Sequence, residues 1–160
     1  MDESKMRKIA AGLFGLAVVL FVFALTLPEP TPDYSKVLDE KAVRDQLPSG
    51  EDDAEIRVYG DGSVSIRREM AENLNAELML YGARKDSIEI FKSVFKDPRV
   101  NHVSVISTVA FVDSYGHKST DVGATYAMYR ETSQKINWDS FMTTNLDKVA
   151  DQIYIHPTFR

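Results

Sequence analysis

An uncharged run that begins at Ile9 and ends at Leu27 constrains this chain more than any other stretch. It holds nineteen residues, none of which is Asp, Glu, Lys, Arg or His. At about 1.5 Å of rise per residue, a helix of that length spans about 28 Å, close to the ~30 Å hydrocarbon core of a bilayer. Residues 9–27 therefore predict a single transmembrane helix whose partner is the lipid bilayer.

The charges that flank this run predict its orientation. Lys5, Arg7 and Lys8 precede it, and the next basic residue is Lys36. Positive charge stays on the cytoplasmic side of inserted segments, so residues 1–8 are predicted to be cytoplasmic and the C-terminal domain to lie outside. A signal peptide has a similar pattern, and its cleavage near Ala24 would instead secrete the protein. The length of the run favours a retained anchor at the cell membrane.

A proline-rich spacer follows the apolar run. Prolines at positions 28, 30 and 32 prevent the helix from continuing, because proline lacks a backbone donor and restricts the residue before it. A short charged helix and a turn-rich acidic loop are predicted next. Residues 28–53 therefore form the predicted spacer, and residues 54–160 are predicted to fold as one extracytoplasmic domain.

The composition beyond the anchor excludes several classes of function. Residues 36–160 carry sixteen basic and twenty acidic side chains. A nucleic-acid-binding surface needs a basic stripe, so we expect no nucleic-acid partner. The chain contains no cysteine, which excludes disulfides, thiol chemistry and cysteine metal ligands.

Hydrophobic periodicity divides the outer region into strands and helices. Apolar residues alternate on both sides of Asp61 and Gly62, which predicts a tight hairpin. The predicted ranges are 56–66 for the hairpin, 73–83 and 87–96 for helix, 102–113 and 121–130 for two further strands, and 145–152 for a last helix. This order, β-β-α-β-β-α, predicts an α+β domain with an antiparallel sheet of about four strands and helices on one face.

No sequence motif points to a reaction. The three histidines, His102, His117 and His156, are far apart and lack zinc-type spacing. No G-x-S-x-G elbow occurs, and the glycines around Asp61 fit a turn better than a dinucleotide loop. We therefore predict no catalytic, cofactor-binding or metal-binding residue, and the sequence favours a protein that is not an enzyme.

A few side chains are candidates for contact with a partner or a ligand. Two aspartates flank the loop between the last two predicted strands, where they serve as turn formers or meet across the turn. The only tryptophan is either a core residue or an exposed aromatic anchor. The candidate contact residues are Asp113, Tyr115, His117, Asp121, Trp138 and Tyr154.

Three hypotheses about function follow from these features. The favoured one is a membrane-anchored, non-enzymatic interaction or binding module at the cell envelope, with an envelope protein as partner. The first alternative is a small exported hydrolase or ligand-binding protein whose dispersed site uses Asp113, His117 and Asp121. The second alternative is a subunit of a membrane-associated secretion, conjugation or division assembly.

Overall fold

The computed structural model describes residues 37–73 and 75–160. The predicted transmembrane helix, the cytoplasmic residues before it and the prolines after it lie outside these ranges. Within them, no helix is both long and apolar enough to cross a bilayer. The described residues form one sheet with helices, which confirms the predicted α+β class.

The sheet has five strands, which follow one another across the sheet in chain order. They are β1 (Glu55–Val58), β2 (Ser63–Glu69), β3 (His102–Val112), β4 (Lys118–Tyr129) and β5 (Gln152–Ile155). Neighbouring strands are antiparallel except β2 and β3, which are parallel. The prediction of a wholly antiparallel sheet is therefore wrong, and the sheet is mixed. A helical crossover returns the chain to the end of the sheet where β2 began, so β3 runs parallel to β2.

In the described ranges, four α-helices accompany the sheet: α1 (Glu40–Arg44), α2 (Ala76–Val94), α3 (Arg130–Ser133) and α4 (Leu146–Val149). The long helix α2 begins after Asn75, whose side chain accepts a hydrogen bond from the N–H of Leu78 at 2.9 Å. It runs without a break through Gly82 and through residues 84–86, which separated the two predicted helices. Packing of its buried face outweighs the ~1 kcal/mol that glycine costs in a helix.

The predicted last helix is shorter than expected, and a fifth strand follows it. Residues 145–152 form only one turn of α4, because Ala150 takes an extended backbone and ends it. The N–H of Asp151 then donates to the carbonyl of Ala127 at 3.0 Å and starts the pairing of β5 with β4. The predicted count of four strands is therefore corrected to five.

One face of the sheet packs against α2 and holds the core. Its buried side chains alternate along the strands, as the period of two requires, and include Ile66, Val103, Val105 and Tyr126. Val43 of α1 joins the same core with no exposed surface, so α1 lies on the domain. The short helix is capped by Asp39.

The end of β3 leaves the sheet as part of a two-stranded arm. A bulge interrupts its register with β4 between Ser107 and Thr108, and β2 pairs with β3 only as far as Thr108. Residues 109–121 therefore continue as a hairpin, which we call the hairpin arm. This arm reaches beyond the sheet and is mostly exposed.

Candidate functional site

The tip of the hairpin arm holds three of the predicted contact residues. Asp113 accepts hydrogen bonds from the N–H groups of Tyr115 at 2.8 Å and His117 at 2.9 Å, and lies 3.1 Å from the His117 ring Nδ1. The bond from the His117 N–H, assisted by the others, holds the pKa of Asp113 below its usual range. Asp113 therefore organises the turn, while the Tyr115 ring is 86% exposed.

Asp121 does not join this cluster. It pairs with Val109 across the hairpin, four residues before Asp113. At about 3.3 Å per residue, the two aspartates are separated by about 13 Å along the strand. The three residues of the predicted dispersed site are therefore not brought together, and the described part of the chain holds no cluster of metal-binding side chains.

Trp138 and Tyr154 lie on other parts of the surface. Trp138 is half-buried, packs against the core and meets the Phe141 ring edge-on at 5.5 Å. Shallow grooves of about 510 and 300 Å³ flank its ring, and both are lined by Lys92 and Lys96. Tyr154 pairs with Thr125 on the sheet face that points away from α2, and it is 45% exposed.

A different groove lies where β2 ends and α2 begins. Its volume is about 360 Å³, and we call it the strand-end groove. Its apolar lining comprises Met70, Met79, Val109, Phe111 and Phe159, and its rim includes Glu69, Glu72 and Asn75. The carboxyl end of parallel strands, next to the helix that connects them, is the usual place for ligands in sheets of this kind.

The floor of the strand-end groove depends on Gly123 of β4. A Cβ at this position would lie 2.6 Å from Met70 Sδ and 3.2 Å from Phe159 Cε2. Because glycine leaves this space open, Met70 and the C-terminal turn Pro157–Phe159 both pack onto β4. The Phe159 ring also lies 6.3 Å from the Phe111 ring, centroid to centroid, and completes the apolar wall.

The charge at the rim of the strand-end groove is negative. Glu69 and Glu72 both line it, and no lysine or arginine of residues 37–73 or 75–160 does. Neither carboxylate makes an ion pair with any residue that the structure describes. The groove therefore combines an apolar floor with two available negative charges, which favours a ligand that is both apolar and cationic.

One wall of the strand-end groove is an unpaired strand edge. The N–H of Asp113 donates to the carbonyl of His117 across the hairpin arm, so the main-chain groups of alternate residues point away from β4. These residues are Ala110 and Val112, which lie beyond the last residue that pairs with β2. No described residue hydrogen-bonds to their main-chain groups on this side.

The most strongly perturbed titratable groups serve the fold. Burial, together with a 2.9 Å hydrogen bond to Asp147, raises the pKa of the Tyr126 hydroxyl above its ordinary value. Burial alone would raise the pKa of Asp97, but hydrogen bonds from Arg99 outweigh it and lower that pKa. The Tyr126 hydroxyl joins β4 to α4, and Asp97 holds the loop that follows α2. Neither group lines the strand-end groove.

Comparisons with protein families, with curated proteins and with solved structures found no match to this chain. The fold defines it only as a protein with an α+β domain.

The sequence patterns do not predict the strand-end groove. Its apolar residues come from β3, α2, the loop after β2 and the C-terminal turn, and no spacing in the chain connects them. One local signal was present, because an isolated glycine inside a strand often marks a close approach of another segment. Gly123 is such a residue, and Met70 and Phe159 are the side chains that approach it.

Proposed function

We propose that this chain is a membrane-tethered, non-enzymatic binding module of the cell envelope. Its outer domain binds a protein partner through the strand-end groove. The observation that carries this proposal is the unpaired edge of β3 beside an apolar groove, since main-chain groups and apolar area are what peptide-binding domains offer.

The chemistry of the groove supports binding more than catalysis. Its floor is built from methionine, valine and phenylalanine side chains, and the two methionines can adapt to different partner shapes. The contact of His117 with Asp113 lies at the exposed tip of the hairpin arm, away from any apolar enclosure. The residues proposed for a dispersed hydrolytic site are also separated along the arm.

A tether makes modest affinity sufficient. If residues 9–27 hold the domain at the membrane, the domain and any envelope partner share a thin layer, and their effective concentrations rise. A groove of this size can bury only one or two side chains, so its affinity on its own is expected to be modest. The raised effective concentration that a tether provides would therefore compensate for the modest affinity of the groove.

Photo-crosslinking in cells that express the full chain tests this proposal. A photoreactive phenylalanine analogue is placed at Ala110, which lines the groove and is exposed, so no core contact is lost. The matched control places it at Thr120, the cross-strand neighbour of Ala110, which does not line the groove. Both variants are made in the full chain and resolved by gel after irradiation.

We expect a discrete adduct from position 110 and none from position 120. Introduction of Trp at a second groove position, Ala76, should fill the groove and abolish the adduct. If both positions give the same adducts, or if neither gives any at matched expression, the strand-end groove is not a binding site for a partner.

A further inference from the structure

We infer that the strand-end groove binds an extended peptide segment by strand addition, and that this segment carries both apolar and basic side chains. The segment would lie along the unpaired edge of β3, in line with β2. This inference rests on the proposed function and specifies the class of partner that the same site binds.

The main-chain geometry is the first support. Ala110 and Val112 each present an N–H and a carbonyl on the side of β3 that β2 occupies further back. Groups that repeat every second residue match the backbone of another extended chain. A compact small molecule offers no such repeat, so the edge favours a peptide over a small ligand.

The groove beside the edge supplies a place for an apolar side chain. Its volume of about 360 Å³ lies at the lower end of the ~300–1,000 Å³ typical of ligand sites. In an added strand, successive side chains point to opposite faces. Every second side chain would therefore enter the groove over Met79 and Phe159, and those between would point away from α2.

The carboxylates at the rim determine the charge of the segment. Glu69 is the last residue of β2, directly in line with an added strand, and Glu72 lies on the loop that forms the opposite wall. An acidic peptide would meet two like charges there, whereas lysine or arginine would meet two carboxylates that make no ion pair among the described residues. Exposed Val112 extends the apolar contact toward the tip of the hairpin arm.

The test uses synthetic peptides and the full chain in a neutral detergent. The probe is a fluorescent, acetylated hexapeptide of sequence Lys-Val-Lys-Phe-Lys-Val, and binding is followed by fluorescence anisotropy. Two further peptides have the same sequence with backbone N-methyl groups. One is methylated at the three lysines and the other at the three apolar residues. A fourth peptide has Glu in place of each Lys.

We expect the lysine peptide to bind and the glutamate peptide to bind at least 10-fold more weakly. One N-methyl isomer should lose at least 10-fold in affinity while the other keeps it, because only alternate N–H groups of an added strand face β3. The double variant Glu69→Gln, Glu72→Gln should reduce the preference for lysine over glutamate at least fivefold. Ala110→Trp should abolish binding, and Thr120→Trp should not.

The outcomes separate this inference from the proposed function. If the adduct at position 110 forms in cells but the two N-methyl isomers bind alike, strand addition is wrong and the binding module stands. If that adduct has the mass of two copies of this chain, the occupant is a second copy and a foreign segment is excluded. If no adduct forms and no peptide binds, both proposals fail together.

Discussion

Asp147 should be among the most sensitive positions in the domain, although it is partly exposed. Its carboxylate accepts two hydrogen bonds from Arg84, at 2.9 and 2.6 Å, and a third from the buried Tyr126 hydroxyl at 2.9 Å. These bonds join α2, β4 and the segment that leads to β5. We predict that Asp147→Asn weakens this junction without changing its shape.

The size of the effect follows from these contacts. Hydrogen bonds to a charged group contribute about 1.5–3 kcal/mol each. The Asp147 side chain is 33% exposed, so the lower part of that range applies. An Asn oxygen in the place of Oδ1 still accepts the bonds from Arg84 Nε and the Tyr126 hydroxyl. The new amide group then replaces Oδ2 and faces the second guanidinium nitrogen of Arg84, donor against donor. We expect Asp147→Asn to reduce the free energy of unfolding by about 2 kcal/mol at pH 7.

The same junction predicts how the effect changes with pH. Hydrogen bonds from Arg84 lower the pKa of Asp147 in the folded state, although partial burial acts in the opposite direction. Its stabilising contribution is therefore complete above the unfolded pKa of about 3.9 and is lost as pH falls through the folded pKa. Because Asn does not titrate, the difference between wild type and variant should shrink from about pH 5 to about pH 2.

Urea unfolding of the full chain measures both effects. The fluorescence of Trp138, the only tryptophan, reports the folding of the outer domain. Asp53→Asn is the matched control, because Asp53 is exposed and makes no ion pair within the described ranges. Equal midpoints for the two Asn variants at pH 7, or a difference that grows as pH falls, would refute the assigned role of the carboxylate.

Two further predictions concern the first turn and the topology. Gly62 has φ +81°, and a Cβ there would collide with a backbone carbonyl, so Gly62→Ala should cost at least about 2 kcal/mol in urea unfolding. Gly60→Ala, which meets open space, should cost about 1 kcal/mol or less, and a similar loss in both variants would contradict the steric explanation. The topology predicts that a reporter fused at Arg160 lies outside the cytoplasm, so a reporter that is active only there should be active. If a reporter that is active only in the cytoplasm is active instead, the predicted membrane tether is wrong.

Local patterns predicted the parts of the fold that local interactions determine. The hairpin of β1 and β2 follows from alternating apolar residues around a turn, where the Asp61 side chain accepts the N–H of Ser63 at 2.9 Å. Residues 102–113 were predicted as a strand, and apolar residues on both of its faces are typical of a central strand; β3 is the third of five strands. A tight turn and the pattern of a strand depend on residues that are close in the chain, so they can be predicted from the sequence.

Pairing between distant segments could not be predicted in the same way. The direction of β3 relative to β2 depends on how α2 crosses the sheet, and amphipathic spacing within α2 carries no such information. Residues 152–155 include two isoleucines and a tyrosine, which suit a strand, but helical spacing over 145–152 competes with that signal. The edge of β4 decides between them, because it offers hydrogen-bond partners to β5.

The same difference between local and long-range interactions applies to the candidate contact residues. Asp113 and His117 are four residues apart in one turn, and their contact follows from turn chemistry. Asp121 lies outside this contact, because the register of the hairpin arm places it opposite Val109. Whether Trp138 is a core residue or an anchor depends on the packing around it, and in the fold its half-buried ring packs against the core.

The strand-end groove results from a mismatch in length between neighbouring strands. β3 continues for four residues past Thr108, whereas β2 stops pairing there and Met70 leads the chain away toward α2. A longer β2 would cover the edge of Ala110 and Val112, and a shorter β3 would remove one wall of the groove. Exposed unpaired edges promote aggregation, and proteins usually cover or charge them. In this domain the open edge lies beside a built apolar groove with an acidic rim, and that combination favours a binding role for the edge over an accidental strand end.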